Sequence, residues 1–390
     1  MTEPSTTRRS GQRVRRIAVV ASLTLSLVNF RLELLKRLVE AGNDVIAFSP
    51  EADAEVTEIL QGIGVRFVQI PMARTGLNPF SDLRTLLVLW YHFRRLKPDF
   101  VLPYTMKPII YGGLAARLAG VPRRFALVTG LGHVFREAKP SGLSALVRHI
   151  SVRLYRLALA GTERVFVYNE ADAEDIRNNR MIADLSRMLL VPGSGVDLDR
   201  FRRSEPGCNP PTFLMISRLL HDKGVVDFVD AARLVGRRRG EARFQILGSF
   251  DANPNAISQA DIDGWVGEGV IEYLGETRDV RPFLAACSAF VLPSYYREGI
   301  PRTLLEALAT GRAVITTDMP GCRDTVIDGE NGLLVPPRNP EKLARAMETL
   351  LEKPELFASM GERSRRLAGD RFDVHAVNRI LLEEMGLLPD

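Results

Sequence analysis

Two glutamates in the second half of the chain, Glu298 and Glu306, are candidates for binding a ligand. Seven residues separate them. Glu298 is predicted in a loop after a short apolar run, and Glu306 lies inside a helix that begins near Pro301. A carboxylate in an otherwise apolar helix needs a hydrogen-bonding partner. Ligand hydroxyls would provide one for Glu306, and a core arginine or a backbone amide is the alternative.

The residues between the two glutamates favour a ligand at the start of this helix. Gly299 allows the backbone to approach a ligand closely, and proline suits the first turn of a helix. Unpaired amides at a helix start bind phosphate oxygens or hydroxyls. We therefore include Gly299, Ile300 and Pro301 in the predicted binding site.

Two basic side chains, Arg218 and Lys223, follow a predicted strand at Thr212–Ile216. They lie in the turn that leads into a helix beginning near Gly224. Two fixed cations and a helix N-terminus would stabilise the charge on a departing diphosphate without a metal ion. Solvated charges on a surface turn are the alternative explanation. Gly248 and Gly275 each follow a further predicted strand, where a backbone could pass close to a nucleotide.

Short β-branched runs alternate with longer amphipathic stretches along the whole chain, which predicts an α/β protein with parallel sheets. Ligands of such sheets bind beyond the carboxyl ends of the strands. The predicted strands are Arg16–Ala21, Asp44–Phe48, Arg66–Ile70, Phe100–Pro103, Arg124–Val128, Arg164–Tyr168 and Met188–Val191, then Thr212–Ile216, Arg243–Leu247, Val270–Leu274, Ala289–Leu292, Ala313–Thr317 and Gly332–Val335. Helices are predicted at Leu32–Ala41 and Leu83–Leu96, among others.

The pattern divides into two domains. Residues 1–15 form a basic tail that is expected to be disordered, and residues 16–205 form a first domain. Prolines and glycines around residue 205 interrupt any continuing helix. Residues 206–370 form a second domain. Residues 371–390 are expected to form a helix that crosses back to the first domain.

The chain has 390 residues, 46% hydrophobic and 25% charged, which is ordinary globular composition at a length that favours two domains. Residues 1–205 have 30 Lys and Arg against 20 Asp and Glu, a net charge of +10, and the remainder has 22 against 27, a net charge of −5. A basic half attracts anionic lipid, nucleic acid or a phosphorylated substrate. No nucleic-acid-binding motif is present, so nucleic acid is not an expected partner.

Cysteine usage and hydropathy favour a cytoplasmic protein. Cys208, Cys287 and Cys322 lack metal-ligand spacing, and their odd number does not suggest a disulfide framework. No metal site is therefore expected. The apolar run Ile17–Leu27 is too short to span a membrane and predicts a first buried strand. A signal peptide is the alternative, although no typical cleavage site follows.

Taken together, the motifs of the second half resemble the family-4 retaining glycosyltransferases, two-domain enzymes of GT-B architecture in which two Rossmann-like domains face each other across a cleft. The Glu298–Glu306 pair, followed by the Pro320-Gly-Cys-Arg-Asp loop, is the most specific match. The resemblance implies that Glu298 faces the donor sugar, that Glu306 binds the ribose, and that Arg218 and Lys223 hold the diphosphate of a nucleotide sugar. No cofactor is implied.

The first half resembles bacterial transferases that add N-acetylhexosamines to undecaprenyl-diphosphate-linked sugars. The matching stretches include Lys107-Pro-Ile-Ile-Tyr-Gly-Gly and Val128-Thr-Gly-Leu-Gly-His. This resemblance implies a UDP-sugar donor and a lipid-linked glycan acceptor. Gly130 and Gly132 are expected near the donor sugar or the acceptor, and Arg31, Lys107 and His133 are acceptor-side candidates. For the last three, surface charge or a bystander loop histidine is the alternative.

A segment from Leu143 to Leu159 has Arg148, Arg153 and Arg156 between apolar residues at near-helical spacing. It could lie on an anionic membrane surface, and a buried helix with a cationic outer face is the alternative. We expect a cytoplasmic enzyme in peripheral contact with the membrane. Two other functions remain open: a UDP-sugar 2-epimerase, which needs acid and base residues but no acceptor, and a non-catalytic nucleotide-sugar-binding subunit.

Overall fold

A computed structural model describes residues 14–73, 76, 78–135, 141–207, 209–239, 242–251, 253 and 255–388. The predicted disordered tail lies almost entirely outside the described residues, as does Cys208. The side chain of His133 is also outside the described part of the chain.

Each strand predicted from the sequence is present, to within two residues at either end. These runs form strands because β-branched and aromatic residues pack well on a pleated, buried surface. The strands are β1 Arg16–Val20, β2 Asp44–Ser49, β3 Arg66–Gln69, β4 Phe100–Pro103, β5 Arg123–Val128, β6 Arg164–Val167, β7 Met188–Leu190, β8 Thr212–Ile216, β9 Arg243–Leu247, β10 Glu272–Tyr273, β11 Ala289–Leu292, β12 Ala313–Thr317 and β13 Gly332–Val335.

The strands form two sheets with the doubly wound order of Rossmann-like folds. The first sheet has the order β3-β2-β1-β4-β5-β6-β7 and the second the order β10-β9-β8-β11-β12-β13. In both sheets the order reverses beside the first strand in sequence, and the pairs with a defined register are parallel. The predicted α/β class with two Rossmann-like sheets is confirmed.

Helices connect the strands. They are α1 Leu25–Glu40, α2 Ala54–Gly62, α3 Pro79–Leu96, α4 Gly113–Ala119, α5 Gly142–Leu159, α6 Glu170–Asn178, α7 Val225–Arg239, α8 Gln259–Gly267, α9 Arg281–Ala286, α10 Arg302–Thr310, α11 Pro340–Glu352, α12 Glu355–Phe372 and α13 Val374–Glu384. A short π-helical segment, Pro108–Gly112, precedes α4, and a 3-10 turn, His221–Lys223, precedes α7.

Two helices begin earlier than the sequence predicted. Helix α1 begins at Leu25 rather than Leu32, because Leu27 already belongs to the buried stripe that continues through Leu34 and Leu38. Helix α3 begins at Pro79 rather than Leu83, because the Asn78 side chain accepts hydrogen bonds from the amides of Phe80 and Ser81. Asn is among the strongest N-cap residues, and proline suits the first helical position.

The chain divides into two compact units. The first comprises Met1–Leu127, Leu154–Val165 and Leu382–Asp390, and the second comprises Val128–Arg153 and Phe166–Leu381. In the first unit, buried residues of β1, β2 and β4 pack with α3 and α4. The Phe48 and Phe93 rings meet edge to face there, with centroids 5.6 Å apart.

The core of the second unit packs α7 and α12 against β8 and β9. The Phe213 and Phe244 rings stack with centroids 5.6 Å apart, and Phe228 and Phe357 contact them. This packing fixes the strands whose carboxyl ends lead into the predicted binding segments.

Within the described residues, no helix is both long and apolar enough to cross a bilayer.

Candidate active site

The predicted binding segments of the second unit lie at one edge of its sheet. Strand β8 leads to Arg218, the neighbouring β9 leads to Gly248, and β11, on the other side of β8, leads to Glu298 and Gly299. Because the three strands are parallel, their carboxyl ends share this edge. Ligands of open α/β sheets bind at such an edge, beside the point where the strand order reverses.

Backbone hydrogen bonds bring Lys223 to Glu298. The carbonyl oxygen of Asp222 accepts from the amides of Tyr295 and Tyr296, both at 3.0 Å. The ammonium of Lys223 then contacts Glu298 Oε1, and the two side chains are 15% and 13% exposed. An ion pair so shielded from water is stronger than one on the surface, and losing one partner is costly.

Gly224 allows the turn before α7 to lie against the β11 loop. Its φ is +79°, and a Cβ at this position would lie 2.1 Å from the carbonyl oxygen of Pro293. Any other residue would therefore push the turn, and Lys223 with it, away from Glu298.

Two further side chains border the Lys223–Glu298 pair. The hydroxyl of Ser294 lies 3.2 Å from Glu298 Oε1 and also 3.2 Å from the carbonyl oxygen of Asp222. Cys322 is fully buried, and burial, together with the nearby Glu298 carboxylate, raises the pKa of its thiol to about 12. The thiol therefore stays protonated and is not a candidate nucleophile.

Arg218 pairs with a carboxylate that the sequence did not single out. Its Nη1 lies 2.7 Å from Asp251 Oδ2, and its side chain is 40% exposed. Asp251 follows β9, so the pair joins the ends of two neighbouring strands. Between them, Gly248 passes the β8 backbone so closely that a Cβ would lie 1.7 Å from the carbonyl oxygen of Ser217.

Glu306 is buried in α10 and pairs with Arg302, one turn earlier in the same helix. Arg302 Nε donates to Glu306 Oε1 at 2.8 Å. Burial raises the pKa of the Glu306 carboxyl, and the charges of Arg302 and Arg200 oppose this shift. The partner is thus an arginine, one of the alternatives that the sequence left open.

Glycine is required where three loops meet at Gly299. A Cβ on Gly299 would lie 2.1 Å from the carbonyl oxygen of Thr129, and one on Gly321 would lie 2.2 Å from the carbonyl oxygen of Gly299. Gly130 has a φ of +129°, and its Cβ position lies 3.4 Å from the Gly299 amide nitrogen. Gly130 therefore belongs to this junction, whereas Gly132, with φ +77°, has open space at its Cβ position.

A set of polar residues that sequence reasoning missed holds this junction. The Asn169 amide donates to the carbonyl oxygens of Glu298 and Gly299 at 3.1 and 3.0 Å, and to Asp172 Oδ2 at 2.9 Å. Arg297 Nη1 lies 2.8 Å from Asp175 Oδ2 and donates to the carbonyl oxygen of Phe135 at 2.9 Å. The Asn169 N-cap before α6 was the available sequence signal.

The start of α10 lies next to Gly299. Pro301 is the N-cap, and among the described residues no side chain caps this helix start. Ile300 is buried against Gly193, whose Cβ position lies 3.1 Å from Ile300 Cβ. The first amides of α10 thus form a helix N-terminus, which is the end of a helix where an anion or hydroxyl binds most favourably.

Arg31 and Lys107, the two acceptor-side candidates in the first unit, have surroundings that differ from those expected from the sequence. Arg31 was expected at a helix start, but it lies in the second turn of α1, is 3% exposed, and stacks 5.0 Å from the centre of the Tyr104 ring. Lys107 is no solvated surface charge, because its Nζ lies 2.9 Å from the buried Asp82 carboxylate. Their roles toward an acceptor stay predictions, as does that of His133, whose backbone lies in the 3-10 turn His133–Phe135.

Of the arginines predicted to face a membrane from α5, Arg148 has another partner. Its guanidinium lies 3.8 Å from Asp175 and stacks on the Phe135 ring at 5.2 Å. Arg153 and Arg156 are exposed.

Within the described residues, no group of three or more His, Cys, Asp or Glu side chains is arranged to hold a metal ion.

Two Rossmann-like sheets, with charged and glycine-rich loops gathered at a carboxyl edge, are typical of α/β proteins that bind a ligand at such an edge. Residues 28–193 match the model of a glycosyl transferase 4-like domain, and residues 210–353 match that of glycosyl transferases group 1. The chain belongs to this glycosyltransferase family and is a glycosyltransferase.

Curated relatives extend over most of the chain. It is 30% identical over 361 residues to the N,N'-diacetylbacillosaminyl-diphospho-undecaprenol alpha-1,3-N-acetylgalactosaminyltransferase of Campylobacter jejuni, covering 89% of this chain and 92% of that protein. It is 26% identical over 287 residues to the UDP-Gal:alpha-D-GlcNAc-diphosphoundecaprenol alpha-1,3-galactosyltransferase of Escherichia coli, covering 70% and 71%. These comparisons give no support to the epimerase alternative.

Solved glycosyltransferases share the fold. A glycosyltransferase of Rickettsia africae matches with a TM-score of 0.75 at 19% identity, over 97% of this chain and 100% of that one. Anabaena HepE, solved with UDP and glucose, matches with a TM-score of 0.75 at 16% identity, over 95% and 99%. These matches confirm the GT-B fold class expected from the sequence.

Proposed function

We propose that the protein transfers a sugar, an N-acetylhexosamine, from a UDP-linked donor to a lipid-diphosphate-linked glycan, with retention of configuration, in the assembly of a cell-surface polysaccharide or glycoprotein glycan. The observation that carries the proposal is the shielded contact between Lys223 and Glu298 at the carboxyl edge of the second sheet. A bound sugar diphosphate would use both groups, the cation for its phosphates and the carboxylate for its sugar hydroxyls.

Lys223 has the geometry to serve two anions. Its ammonium has three N–H donors, and one directed at Glu298 leaves others for a donor phosphate. Because the site is shielded from water, negative charge that develops on the leaving diphosphate interacts strongly with this ammonium. Arg218 is more exposed than Lys223 and pairs with Asp251 at the ends of β8 and β9. It would contact the part of the diphosphate that lies farther from Lys223.

The proposed reaction is a same-face substitution. The acceptor hydroxyl attacks the anomeric carbon of the donor sugar, the bond from that carbon to the phosphate oxygen breaks, and the hydroxyl proton passes to the leaving phosphate. UDP departs and the anomeric configuration is kept. Glu298 would orient the sugar, and the backbone at Gly130 and Gly299 would allow it to approach.

Glu306 is proposed to bind the ribose with the same carboxylate that pairs with Arg302. Without donor, its carboxylate accepts from Arg302. Ribose hydroxyls donating to the same carboxylate would add to the stabilisation of its charged form, which burial disfavours. The neighbouring helix start at Pro301 would face the donor with its first amides.

The names of the relatives support the proposed substrate class. The Campylobacter jejuni protein is named for an undecaprenyl-diphosphate acceptor, and the Escherichia coli protein is named for UDP-Gal and a diphosphoundecaprenol acceptor. A lipid-linked acceptor requires the enzyme to work at a membrane, and we propose peripheral contact with its cytoplasmic face. The basic balance of residues 1–205 supports attraction to anionic lipid.

Release of UDP tests the proposal directly. The protein is incubated with a set of UDP-sugars, with and without a short-chain, water-soluble prenyl-diphosphate-linked sugar as acceptor. We expect UDP release that needs both substrates, and a product whose new anomeric linkage has the donor's configuration by NMR. Conversion of a UDP-sugar to its epimer without acceptor, or an absence of turnover with every donor, would contradict the proposal.

Replacing Lys223 by Ala is expected to lower kcat by about 10²–10³, the usual effect of losing one electrostatic donor to a leaving group. Lys342, exposed near the start of α11, provides the matched control, and Lys342→Ala should leave kcat unchanged. Circular dichroism and thermal melting establish that both variants are folded. A near-normal rate in the Lys223→Ala variant would remove this residue from the mechanism.

A further inference from the structure

Helix α3 of the first unit exposes an apolar face. Five large apolar side chains on it are between 39% and 85% exposed: Phe80, Leu83, Leu87, Trp90 and Tyr91. They follow helical spacing and share one side with the exposed Arg84, Arg94 and Arg95. We call these eight residues the α3 face.

The α3 face is not the side of the helix that serves the core. Leu89 and Phe93, on the opposite side, are buried against the first sheet. Asp82, also on the buried side, binds Lys107 and Tyr111 at 2.9 Å each. Helix α3 is therefore apolar on both sides, and packing against the core of the first unit does not explain the apolar residues on its exposed side. Most surface helices of a monomeric protein are polar on the outside.

The side chains of this face form a shallow open groove rather than scattered contacts. Its volume is about 350 Å³, and its lining is almost wholly apolar, with Arg84 as the charged member. Tyr91 lines one part of it, and its hydroxyl oxygen accepts a hydrogen bond from Arg95 Nη1 at 3.4 Å. Contiguous exposed apolar surface of this kind marks an interaction site.

The charges of the α3 face are all positive. Asp82 is the only acidic residue of α3, and it is buried with Lys107. In the described part of the chain, Arg84, Arg94 and Arg95 form no ion pair with a carboxylate. The partner of this surface must therefore combine apolar groups with negative charge.

We propose that the α3 face docks on the surface of a bilayer containing anionic lipid. Leucine and phenylalanine side chains would enter the acyl boundary, and the arginines would contact the phosphates of the headgroups. Trp90 and Tyr91 are the residue types that concentrate at the membrane–water interface. This inference rests on the proposed function in one respect, namely that a lipid-linked acceptor brings the enzyme to a membrane.

A second copy of the chain fits the α3 face less well. In a symmetric dimer the same patch meets itself, so the three arginines of each copy would approach those of the other without an acidic partner on the helix. An anionic bilayer instead neutralises all of them. Helix α5 also exposes apolar residues, but Arg148 pairs with Asp175, and no aromatic residue lies between Leu143 and Val152 on this helix.

Vesicle binding tests the inference without use of the enzyme reaction. The full-length protein is sedimented with vesicles of equimolar phosphatidylglycerol and phosphatidylcholine, and with vesicles of phosphatidylcholine alone. We expect binding to the anionic vesicles that weakens with added salt, since charges at the surface are screened. No binding to anionic vesicles would overturn the proposal.

The apolar part is tested by the triple variant Leu83→Gln, Leu87→Gln and Trp90→Gln. We expect its partition onto anionic vesicles to fall at least about tenfold, because three apolar side chains no longer enter the bilayer. Val266 and Ile327 of the second unit are similarly exposed, and their double Gln variant should bind like wild type. Wild-type binding by the triple variant would overturn the proposal, as would loss of binding on changing Leu146 and Ile150 of α5 instead.

The charged part is tested by the variant Arg84→Gln, Arg94→Gln and Arg95→Gln. We expect the salt dependence of binding to disappear together with most of the binding. Arg363 and Arg366, exposed on α12, provide a control for the loss of arginines elsewhere on the surface. Sedimentation of the protein without lipid tests whether a second copy of the chain covers the α3 face instead. A wild-type dimer that becomes a monomer in the triple variant of Leu83, Leu87 and Trp90 would overturn the proposal.

The two proposals fail in different ways. If the α3 face docks on lipid but the chain transfers no sugar, vesicle binding persists and UDP release from wild type is absent with every acceptor. If the chain transfers sugar but docks elsewhere, the triple variant keeps its vesicle binding. When both hold, the triple variant keeps normal UDP release with the water-soluble acceptor and loses it with acceptor embedded in vesicles.

Discussion

At the scale of single residues, Asp172 is a buried titratable group close to the loop that contains Glu298 and Gly299. It is buried at the start of α6 and accepts from the Asn169 amide, which also holds the backbone of Glu298 and Gly299. Burial raises the pKa of the Asp172 carboxyl to about 6, although Arg297 and the hydrogen bond from Asn169 act in the opposite direction.

This pKa predicts a pH-dependent stability. A carboxyl whose pKa is raised on folding favours the folded state fully below its unfolded pKa, and this contribution is lost as the pH rises through about 6. The variant Asp172→Asn stays neutral throughout. Between pH 4 and pH 7 its free energy of unfolding, relative to wild type, should therefore rise by about 2–3 kcal/mol.

Urea denaturation at several pH values measures this difference. The exposed Asp370, changed to Asn, is the matched control and should show little pH-dependent change. A constant difference between the Asp172→Asn variant and wild type across this range would mean that Asp172 titrates normally in the folded protein.

At the scale of elements, the position of α3 depends on a buried polar cluster. Lys107, just before the π-helical segment, and Tyr111 within it both bind Asp82 of α3. Burial, followed by the Asp82 carboxylate, raises the pKa of the Tyr111 hydroxyl, so this group stays protonated and donates. The cluster joins two elements that are separated by only a short stretch of chain, and it fixes the direction in which the α3 face points.

Breaking this cluster on one side should be costly. Asp82→Ala leaves the Lys107 ammonium, 12% exposed, without its counter-charge, and we expect a loss of about 3 kcal/mol in the free energy of unfolding. The double variant Asp82→Ala with Lys107→Met removes both charges and should recover a good part of that loss. Equal destabilisation of the single and double variants in urea would show that the ion pair contributes nothing specific.

At the scale of the whole molecule, the chain is not divided at one point. Residues Leu382–Asp390 belong to the first unit, although they follow the whole of the second. Glu384 pairs with Arg164 at 2.6 Å, and the carbonyl oxygen of Gly386 accepts from Arg15 at 2.6 Å. Met385 and Leu387 are buried. The first unit is therefore completed by the last segment of the sequence.

Truncating a side chain of this segment should destabilise the first unit. Met385 is fully buried, and Met385→Ala is expected to cost about 2–4 kcal/mol, the usual effect of a large-to-small change in a core. Differential scanning calorimetry measures the loss. Leu388, which follows at the surface with 37% exposure, is the control position. A Met385→Ala variant that melts like wild type would show that this segment does not stabilise the fold.

The sequence by itself determined the strands, the α/β class with two Rossmann-like sheets, and the membership of the glycosyltransferases. These depend on local periodicity and on motifs within one segment, such as the glutamates on either side of α10's start. Local sequence is sufficient to predict these features, because the spacing of apolar residues within each segment indicates whether it forms a strand or a helix. The early starts of α1 and α3 were missed, since tertiary packing and an N-cap extended the helices beyond the most periodic residues.

Only the tertiary structure decided which charged residues meet. Lys223 reaches Glu298 across 75 positions of sequence and Arg218 reaches Asp251 across 33, while Arg31 is buried beneath Tyr104 and Lys107 is paired with Asp82. The partner of a charged side chain depends on the order and register of strands that are distant in sequence. No local pattern contains that information, because the sheet brings the ends of its strands together only once it has formed.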